Sequence, residues 1–168
     1  MNLNEPLLAE LKHEAASTRK MLERVPAESF GWKPHDKSMA LMHLAGHVAR
    51  ITNWLPIIID DIEFDISKRD NKPIVFIDTA GLLQDFEESL AKGTAALQSA
   101  SNENLMEKWR LRNSEHVIFE IPRAAVLRNM VLNHTVHHRG QLSVYLRLLN
   151  VPVPGMYGPS ADEMSGMR

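Results

Sequence analysis

The chain carries apolar residues at intervals of three and four positions in four separate segments. This spacing places apolar side chains on one face of an α-helix and predicts an amphipathic helix in each segment. The predicted helices cover residues 5–24, 38–60, 78–99 and 121–149. The first ends at Val25-Pro26, because a residue that precedes proline is pushed out of the helical conformation. Within the second, Pro56 predicts a kink or an early stop near residues 53–55.

Capping and turn residues mark the ends of these helices. Ser38 and Asp78 are predicted to cap the second and third helices, since their side-chain oxygens can accept hydrogen bonds from free backbone N–H groups. Ile121-Pro122 is predicted to open the fourth helix, where proline is tolerated at the first position. Residues 107–120 alternate around a polar centre and predict a short β-hairpin. Together these features predict one all-α domain over residues 1–168, a four-helix bundle with long connectors and a short hairpin before the last helix.

The composition narrows the chemistry that is open to such a bundle. The chain has no cysteine, eight histidines, a formal net charge of −2 and an isoelectric point near 6.4. That charge excludes the strongly basic surface expected of a nucleic-acid-binding protein. The lack of cysteine excludes disulfides, a cysteine nucleophile and thiolate zinc sites. A transition metal would have to be bound by histidine and carboxylate side chains.

The sequence gives no sign of export or of a membrane span. The first 17 residues mix charged side chains with leucines, unlike a secretory signal peptide. The most apolar stretch, residues 54–59, is much shorter than the roughly 20 residues that span a bilayer. We therefore predict a cytoplasmic protein with neither a membrane nor a nucleic acid as its partner.

Five of the eight histidines fall in two clusters on predicted helices. His43 and His47 lie on the second helix, and His134, His137 and His138 lie on the fourth. Side chains four residues apart share one face of a helix at about 5–6 Å, so the pair at 134 and 138 can offer two imidazoles to one ion. A single histidine is usually an ordinary hydrogen-bonded residue. A pair at this spacing, facing a helix that also bears histidine, favours a metal site.

The fourth helix is predicted to turn its histidine pair toward the bundle interior. Its predicted buried stripe comprises Leu127, Met130 or Val131, His134, His138, Gln141 or Leu142, and Tyr145. A third imidazole can come from the second helix, where His47 shares an apolar stripe and adjoins Gly46, which permits close approach of helices. Three histidines with an open water position are the usual ligands of catalytic zinc. Imidazole equally suits nickel, copper or iron(II), so the ligand type does not select the metal.

Two parts of the chain resemble the sequence signature of the DinB superfamily. The first comprises residues 38–41 (Ser-Met-Ala-Leu), 44–49 (Leu-Ala-Gly-His-Val-Ala) and Trp54. The second comprises residues 133–142 (Asn-His-Thr-Val-His-His-Arg-Gly-Gln-Leu), 145–147 and 151–154. The resemblance covers most of the chain and implies a four-helix bundle, often homodimeric, with a three-histidine metal site. The ligands of that family fall on His47, His134 and His138, whereas His43 and His137 match none.

Two enzyme activities and one non-catalytic role are consistent with such a site. The resemblance implies a thiol S-transferase, because several members use low-molecular-weight bacterial thiols such as bacillithiol or mycothiol. The metal would then activate a small thiol for transfer to an electrophile. A hydrolase that uses metal-bound water is the alternative, with His43, His137, Asp36 or a residue of the tail as its general base. A metal-binding interaction module is the third interpretation. Zinc or nickel is the expected metal, followed by iron or manganese.

Residues around the histidines carry further expectations. Gln141 can bond to a ligand histidine or remain an exposed amide. Arg139 and Arg147 can attract an anionic substrate, and Tyr157 either closes over the site or packs beside it. Gly140 lies in the middle of a helix at a cost of about 1 kcal/mol relative to alanine, which predicts a close helix neighbour or room for a ligand.

Overall fold

The computed structural model describes residues 2–70 and 75–165, and this part of the chain is mainly helical. Its helices are α1 (Asn4–Leu22), α2 (Leu41–Arg50), α3 (Trp54–Asp60), α4 (Thr79–Ser99), α5 (Asn102–Met106), α6 (Arg123–Leu127), α7 (His134–Leu148) and α8 (Ala161–Ser165). Its strands are β1 (Glu63–Asp65), β2 (Lys108–Asn113) and β3 (His116–Pro122). The predicted helical class is confirmed. The four-helix bundle is not confirmed, because two of the four predicted helices are divided and the described residues include a three-stranded sheet.

The second predicted helix is divided at residues Ile51–Asn53, which form a 3-10 turn between α2 and α3. The break therefore comes just before the position expected from Pro56. Pro56 is the third residue of α3. A backbone N–H in the first turn of a helix has no helical partner, so proline is accommodated there without loss of a hydrogen bond.

The two predicted caps have different outcomes. Asp78 caps α4 as expected, since its Oδ1 accepts a hydrogen bond of 2.8 Å from the backbone N–H of Gly81. The prediction for Ser38 is wrong, because α2 begins at Leu41 and has no side-chain cap. Backbone carbonyls of the preceding connector take that role. Trp32 accepts a hydrogen bond of 2.8 Å from the N–H of Leu41 and thereby fixes the start of the helix.

The predicted hairpin is confirmed, and it belongs to a larger sheet. Strands β2 and β3 pair antiparallel, and β1 adds to the other side of β2 in parallel, with Glu63 opposite Arg110. Pro122 ends β3 instead of opening the next helix, which begins at Arg123. The proline is therefore placed on the strand side of the boundary.

The last predicted helix contains a wider turn. A π-helical segment, Arg128–Asn133, separates α6 from α7. Such segments hold more residues per turn than an α-helix and occur frequently at functional sites. The first residue of α7, directly after this segment, is His134.

Packing of α1, α2, α4 and α7 forms the core around the histidines. This core contains fully buried residues from each helix, among them Leu22, Leu41, Leu44, Phe86 and Leu142. Helix α4 approaches the turn after α2 closely at Gly93, where an added Cβ would lie 2.7 Å from the carbonyl oxygen of Thr52. Contact between α2 and α7 sets the histidines of the two helices opposite each other. No helix of the described residues is both long and apolar enough to cross a bilayer.

Candidate metal centre

Three histidine side chains from two helices meet at one point. His47 lies on α2, and His134 and His138 lie one turn apart on α7. The Nε2 atom of His134 lies 3.2 Å from Nε2 of His47 and 2.8 Å from Nε2 of His138. One ligand nitrogen of each ring lies within 4.8 Å of the others, and all three residues are half-buried. The structure thus brings together the three residues that the sequence singled out.

Hydrogen bonds on the far side of two rings fix the positions of their protons. His138 Nδ1 lies 2.7 Å from Oε1 of Gln141, and His134 Nδ1 lies 3.3 Å from the carbonyl oxygen of Met130. Both oxygens can only accept, so each Nδ1 carries the proton and donates it. In the neutral rings the two Nε2 atoms then hold lone pairs, and neither can donate to the other across 2.8 Å. Facing lone pairs repel, so this arrangement favours a cation between them.

The donor set fits a transition metal. Zinc bonds to histidine nitrogen at about 2.0–2.1 Å, which in tetrahedral geometry separates two ligand nitrogens by about 3.3 Å. The observed separations of 3.2 and 2.8 Å lie near this value, so small side-chain movements would admit an ion. Among the described residues the cluster contains three histidines and no carboxylate, which leaves coordination positions for an added ligand.

Burial keeps the three rings neutral. Desolvation is the largest cause of a lowered pKa at His47, His134 and His138, and the pKa of His47 falls to about 4. Electrostatic repulsion of the protonated ring by His138, His134 and Arg69 lowers the pKa of His47 further. The hydrogen bonds to Nδ1 act in the opposite direction on the two histidines of α7. Neutral imidazole is the form that binds metal, so the site is ready for an ion near neutral pH.

These pKa shifts predict how the stability of the metal-free protein depends on pH. In the unfolded chain His47 has its ordinary pKa of 6.5, but in the native protein its pKa is about 4. Between these values the unfolded chain binds the proton and the native protein does not, so the free energy of unfolding should decrease as the pH falls from 6.5 to 4. Below pH 4 this histidine should cause no further loss. Urea denaturation across this range should show a smaller decrease for His47→Gln than for the wild type, with His13→Gln as control; equal slopes would contradict the prediction.

The histidine pair does not lie on the buried stripe predicted for the last helix. The buried residues of α7 are Thr135, Arg139, Leu142, Tyr145 and Leu146, and the histidines lie on the flank of this stripe. The prediction assumed one regular α-helix from 121 to 149. The π segment at 128–133 changes the rotation between its two ends, so the stripe after it is shifted.

Arg139 is consequently buried and does not attract a substrate. Its side chain is 2% exposed and pairs with the carboxylate of Glu14 on α1. Its guanidinium also donates to Thr18 Oγ1 at 3.0 Å and to the hydroxyl of Tyr157 at 2.7 Å. Tyr157 donates in turn to Glu14 at 2.9 Å, so it packs beside this ion pair and ties the tail to α1 and α7.

Other residues near the histidines also have clear outcomes. Arg147 forms an ion pair with Asp162 on the surface, with 2.5 Å between a guanidinium nitrogen and Oδ2 of the aspartate. Gln141 has both predicted properties, because its side chain is exposed and bonds to His138. A Cβ at Gly140 would meet no atom within 4 Å outside its own turn of the helix, so the predicted close helix neighbour is not found in the described residues.

The candidate bases lie outside the cluster. His43 is exposed on α2, and Asp36 is exposed in the connector beside Lys33. His137 is also exposed, and its ring centroid lies 4.8 Å from that of His138. Among the described residues, none of these candidate bases and no carboxylate belongs to the three-histidine cluster.

Two residues near the site were not predicted from the sequence. Glu14 falls between Leu11 and Thr18 at spacings of three and four, and this position on the apolar stripe of α1 is the signal that it is buried. Arg69 lies in a polar connector without periodicity, and nothing in the sequence indicates that its charge lowers the pKa of His47.

Comparison with known proteins agrees with these observations. The model of the DinB family matches residues 1–167. A DinB-like protein from Bacillus cereus ATCC 10987 has a similar structure, with a TM-score of 0.69 and 24% identity over 93% of this chain and 98% of that chain. A DinB-like protein from Bacillus subtilis, YjoA, gives a TM-score of 0.70 and 17% identity over 90% of this chain and 98% of that chain. At these identities the two likenesses show the fold.

A local sequence similarity connects the chain to another protein of Bacillus subtilis strain 168. The uncharacterized protein YrdA is 39% identical over 44 residues. The matched segment covers 26% of this chain and 26% of that protein, so it spans about a quarter of each.

Proposed function

The chain belongs to the DinB family, and we propose on this basis that His47, His134 and His138 hold a divalent transition metal in an enzyme that transfers small thiols to electrophiles. A bound ion of this kind supplies Lewis acidity, which lowers the pKa of a thiol or of water at a free coordination position. Zinc or nickel is the metal we propose first. The convergence of three imidazole nitrogens is the observation that supports the metal site.

The chain's own residues hold the ligand nitrogens in the reactive form. Gln141 Oε1 and the carbonyl oxygen of Met130 each accept a hydrogen bond from a protonated Nδ1, and this directs the Nε2 lone pairs of the α7 histidines inward. Partners of this kind fix ring orientation and raise ligand affinity. Burial keeps the pKa of each ring low, so protons do not compete with the ion near neutral pH.

The lack of a carboxylate supports thiol transfer over hydrolysis. Attack by water on an ester or amide is normally assisted by a general base that removes a proton in the transition state. Among the described residues no carboxylate belongs to the three-histidine cluster. A thiol has an ordinary pKa near 8.5, so a metal held by the three histidines would supply enough Lewis acidity for the thiol to release its proton to solvent without a dedicated base. The thiolate sulfur would then form the new bond to the electrophile, and the leaving group would depart with its electron pair.

Turnover with two panels of substrates tests this proposal. The metal-loaded protein is supplied with small thiols and an electrophilic acceptor, and separately with esters and amides. We expect consumption of thiol that depends on metal and on His138, with His13→Ala as the active control. Metal-dependent cleavage of esters or amides alone would instead indicate the hydrolase. A metal-binding protein without turnover on either panel would indicate the interaction module.

The homodimer implied by the family stays a prediction. Light scattering during size-exclusion chromatography would measure the mass directly.

A further inference from the structure

A groove with a volume of about 380 Å³ runs along the surface between α1 and α4. These two helices pack against each other on the side of the core opposite to α2 and α7, so the groove is separate from the histidine cluster. Its walls are mainly apolar, with Leu8, Ala15 and Ala16 from α1 and Leu90 from α4. A concave, mainly apolar surface of this volume with a few polar groups is typical of a site for a small molecule.

Contacts at both ends hold α1 and α4 in an antiparallel arrangement. At one end Nδ2 of Asn4 donates to the carbonyl oxygen of Gln98 at 3.1 Å. At the other end the guanidinium of Arg19 pairs with the carboxylate of Glu87 at 2.5 Å. Between these contacts α1 lines the groove with two alanines, whose side chains are too short to fill the space. The packing of the helices therefore keeps the groove open, and a ligand would not have to form it.

The antiparallel register concentrates the polar side chains of the groove toward the start of α1. It sets Lys12 opposite Thr94, with Gln98 farther along α4, and it sets Ala16 opposite Leu90. The groove thus combines a polar part, which contains hydrogen-bond donors, with an apolar part on the way to the end of α1. Such a division matches a ligand with a polar head and an apolar chain.

Lys12 is the cation of this groove that has no carboxylate partner among the described residues. Arg19, in contrast, is neutralised by Glu87. Lys12 is exposed and forms no hydrogen bond or ion pair with a described residue. The positions three and four residues before and after it hold leucine or alanine, so no carboxylate of α1 lies one turn away. None of the described residues that line the groove is acidic, and its charge is therefore complementary to an anion.

We infer that this groove binds a fatty acid of medium length, whose carboxylate pairs with Lys12 and whose alkyl chain lies over Ala16 and Leu90. Burial of the chain supplies most of the affinity, and the ion pair selects the head group. From Lys12 to Arg19 the groove extends about 10 Å along α1, at about 1.5 Å per residue, so a chain of medium length fills it.

Titration of the full chain with decanoate and with decanamide, its uncharged analogue, tests the inference. Isothermal calorimetry measures both affinities below the concentration at which decanoate forms micelles, and amide NMR shifts locate the site. We expect decanoate to bind about 5-fold more tightly than decanamide, the effect of one exposed ion pair. The shifted amides should belong to α1 and α4. Lys12→Gln should remove the preference, whereas Lys20→Gln, which changes an exposed lysine of α1 outside the groove, should keep it.

A second pair of variants tests the apolar part of the groove. Ala16→Leu places a larger side chain in the groove and should weaken the binding of both ligands by about 10-fold, since roughly two methylenes lose their burial. Ala9→Leu makes the same change at an exposed position of α1 outside the groove and should have no effect. Leucine is nearly as favourable as alanine in a helix, so both variants should fold.

Four results would overturn the inference. They are equal affinity for the two ligands, affinities unchanged by Lys12→Gln or by Ala16→Leu, NMR shifts centred on α2 and α7, and no binding of either ligand. A fifth comes from light scattering. If Ala16→Leu converts a wild-type dimer to a monomer, the groove holds a second copy of the chain and not a fatty acid.

Discussion

Alanine in place of His47, His134 or His138 is expected to abolish stoichiometric metal binding. Each substitution removes one of three nitrogen ligands and leaves most of the coordination sphere to water. Loss of a residue that only orients a ligand weakens metal affinity by about 10–100-fold, so loss of a ligand itself should exceed roughly 100-fold. Elemental analysis of the purified variants and equilibrium metal titration measure the effect.

Two control variants sharpen this test. His13→Ala changes an exposed histidine of α1 and should keep the full metal content. Gln141→Ala leaves all three ligands in place but removes the acceptor of His138 Nδ1, so its affinity should fall by only about 10–100-fold. Thermal unfolding without metal should show that the alanine variants are folded, because the facing lone pairs are relieved. Full retention of metal by all three would refute the site.

Replacing Arg139 by methionine is expected to cost about 3–5 kcal/mol in the free energy of unfolding. Removing one member of a buried ion pair leaves the other charge without compensation in a medium of low polarity. Here the carboxylate of Glu14 would keep Tyr157 as a donor but lose the guanidinium. A domain of this size is stable by only about 5–15 kcal/mol, so the loss is a large fraction of the total. Urea denaturation measures the change.

An exposed ion pair on the same helix provides the matched control. Arg147→Met breaks the surface pair with Asp162, in which the arginine side chain is 50% exposed, and should cost far less than Arg139→Met, because solvent screens an exposed ion pair. The double variant Glu14→Leu and Arg139→Met should regain much of the stability lost in the single variant, because no charge is left buried. A cost below about 1 kcal/mol for Arg139→Met would show that the pair is not important for stability.

Periodicity in the sequence predicts where the helices lie but not how they are divided. The apolar spacing and the cap at Asp78 place α1 and α4 within a few residues of their observed ends. The turn at Ile51–Asn53 is not visible in that spacing, because apolar residues continue through the turn and are buried both before and after it. The strand β1 has only three residues, and pairing with the hairpin creates it, so no local pattern indicates it.

The candidate site was predictable to a similar extent. The spacing of His134 and His138 predicts that they share a face, and the two Nε2 atoms do lie 2.8 Å apart. The choice of His47 over His43 rests on the family resemblance as well as on the helix. The rotation of α7 was not predictable, because a regular helix was assumed where the chain forms a π segment. As a result the prediction placed the histidines on the buried stripe, whereas Arg139 is buried and the histidines lie on its flank.

The π segment at Arg128–Asn133 gives the last helix the form of a regular helix that has absorbed one inserted residue. Removal of a single residue from it would let the backbone return to the ordinary hydrogen-bonding pattern. The two ends would then rotate against each other by about 100°, since one α-helical residue turns the chain by that angle. With α6 held in the core by Val126 and Leu127, the rotation would carry the histidines away from α2. A change in the length of this segment would therefore also change the metal centre, because it would displace two of the three histidines.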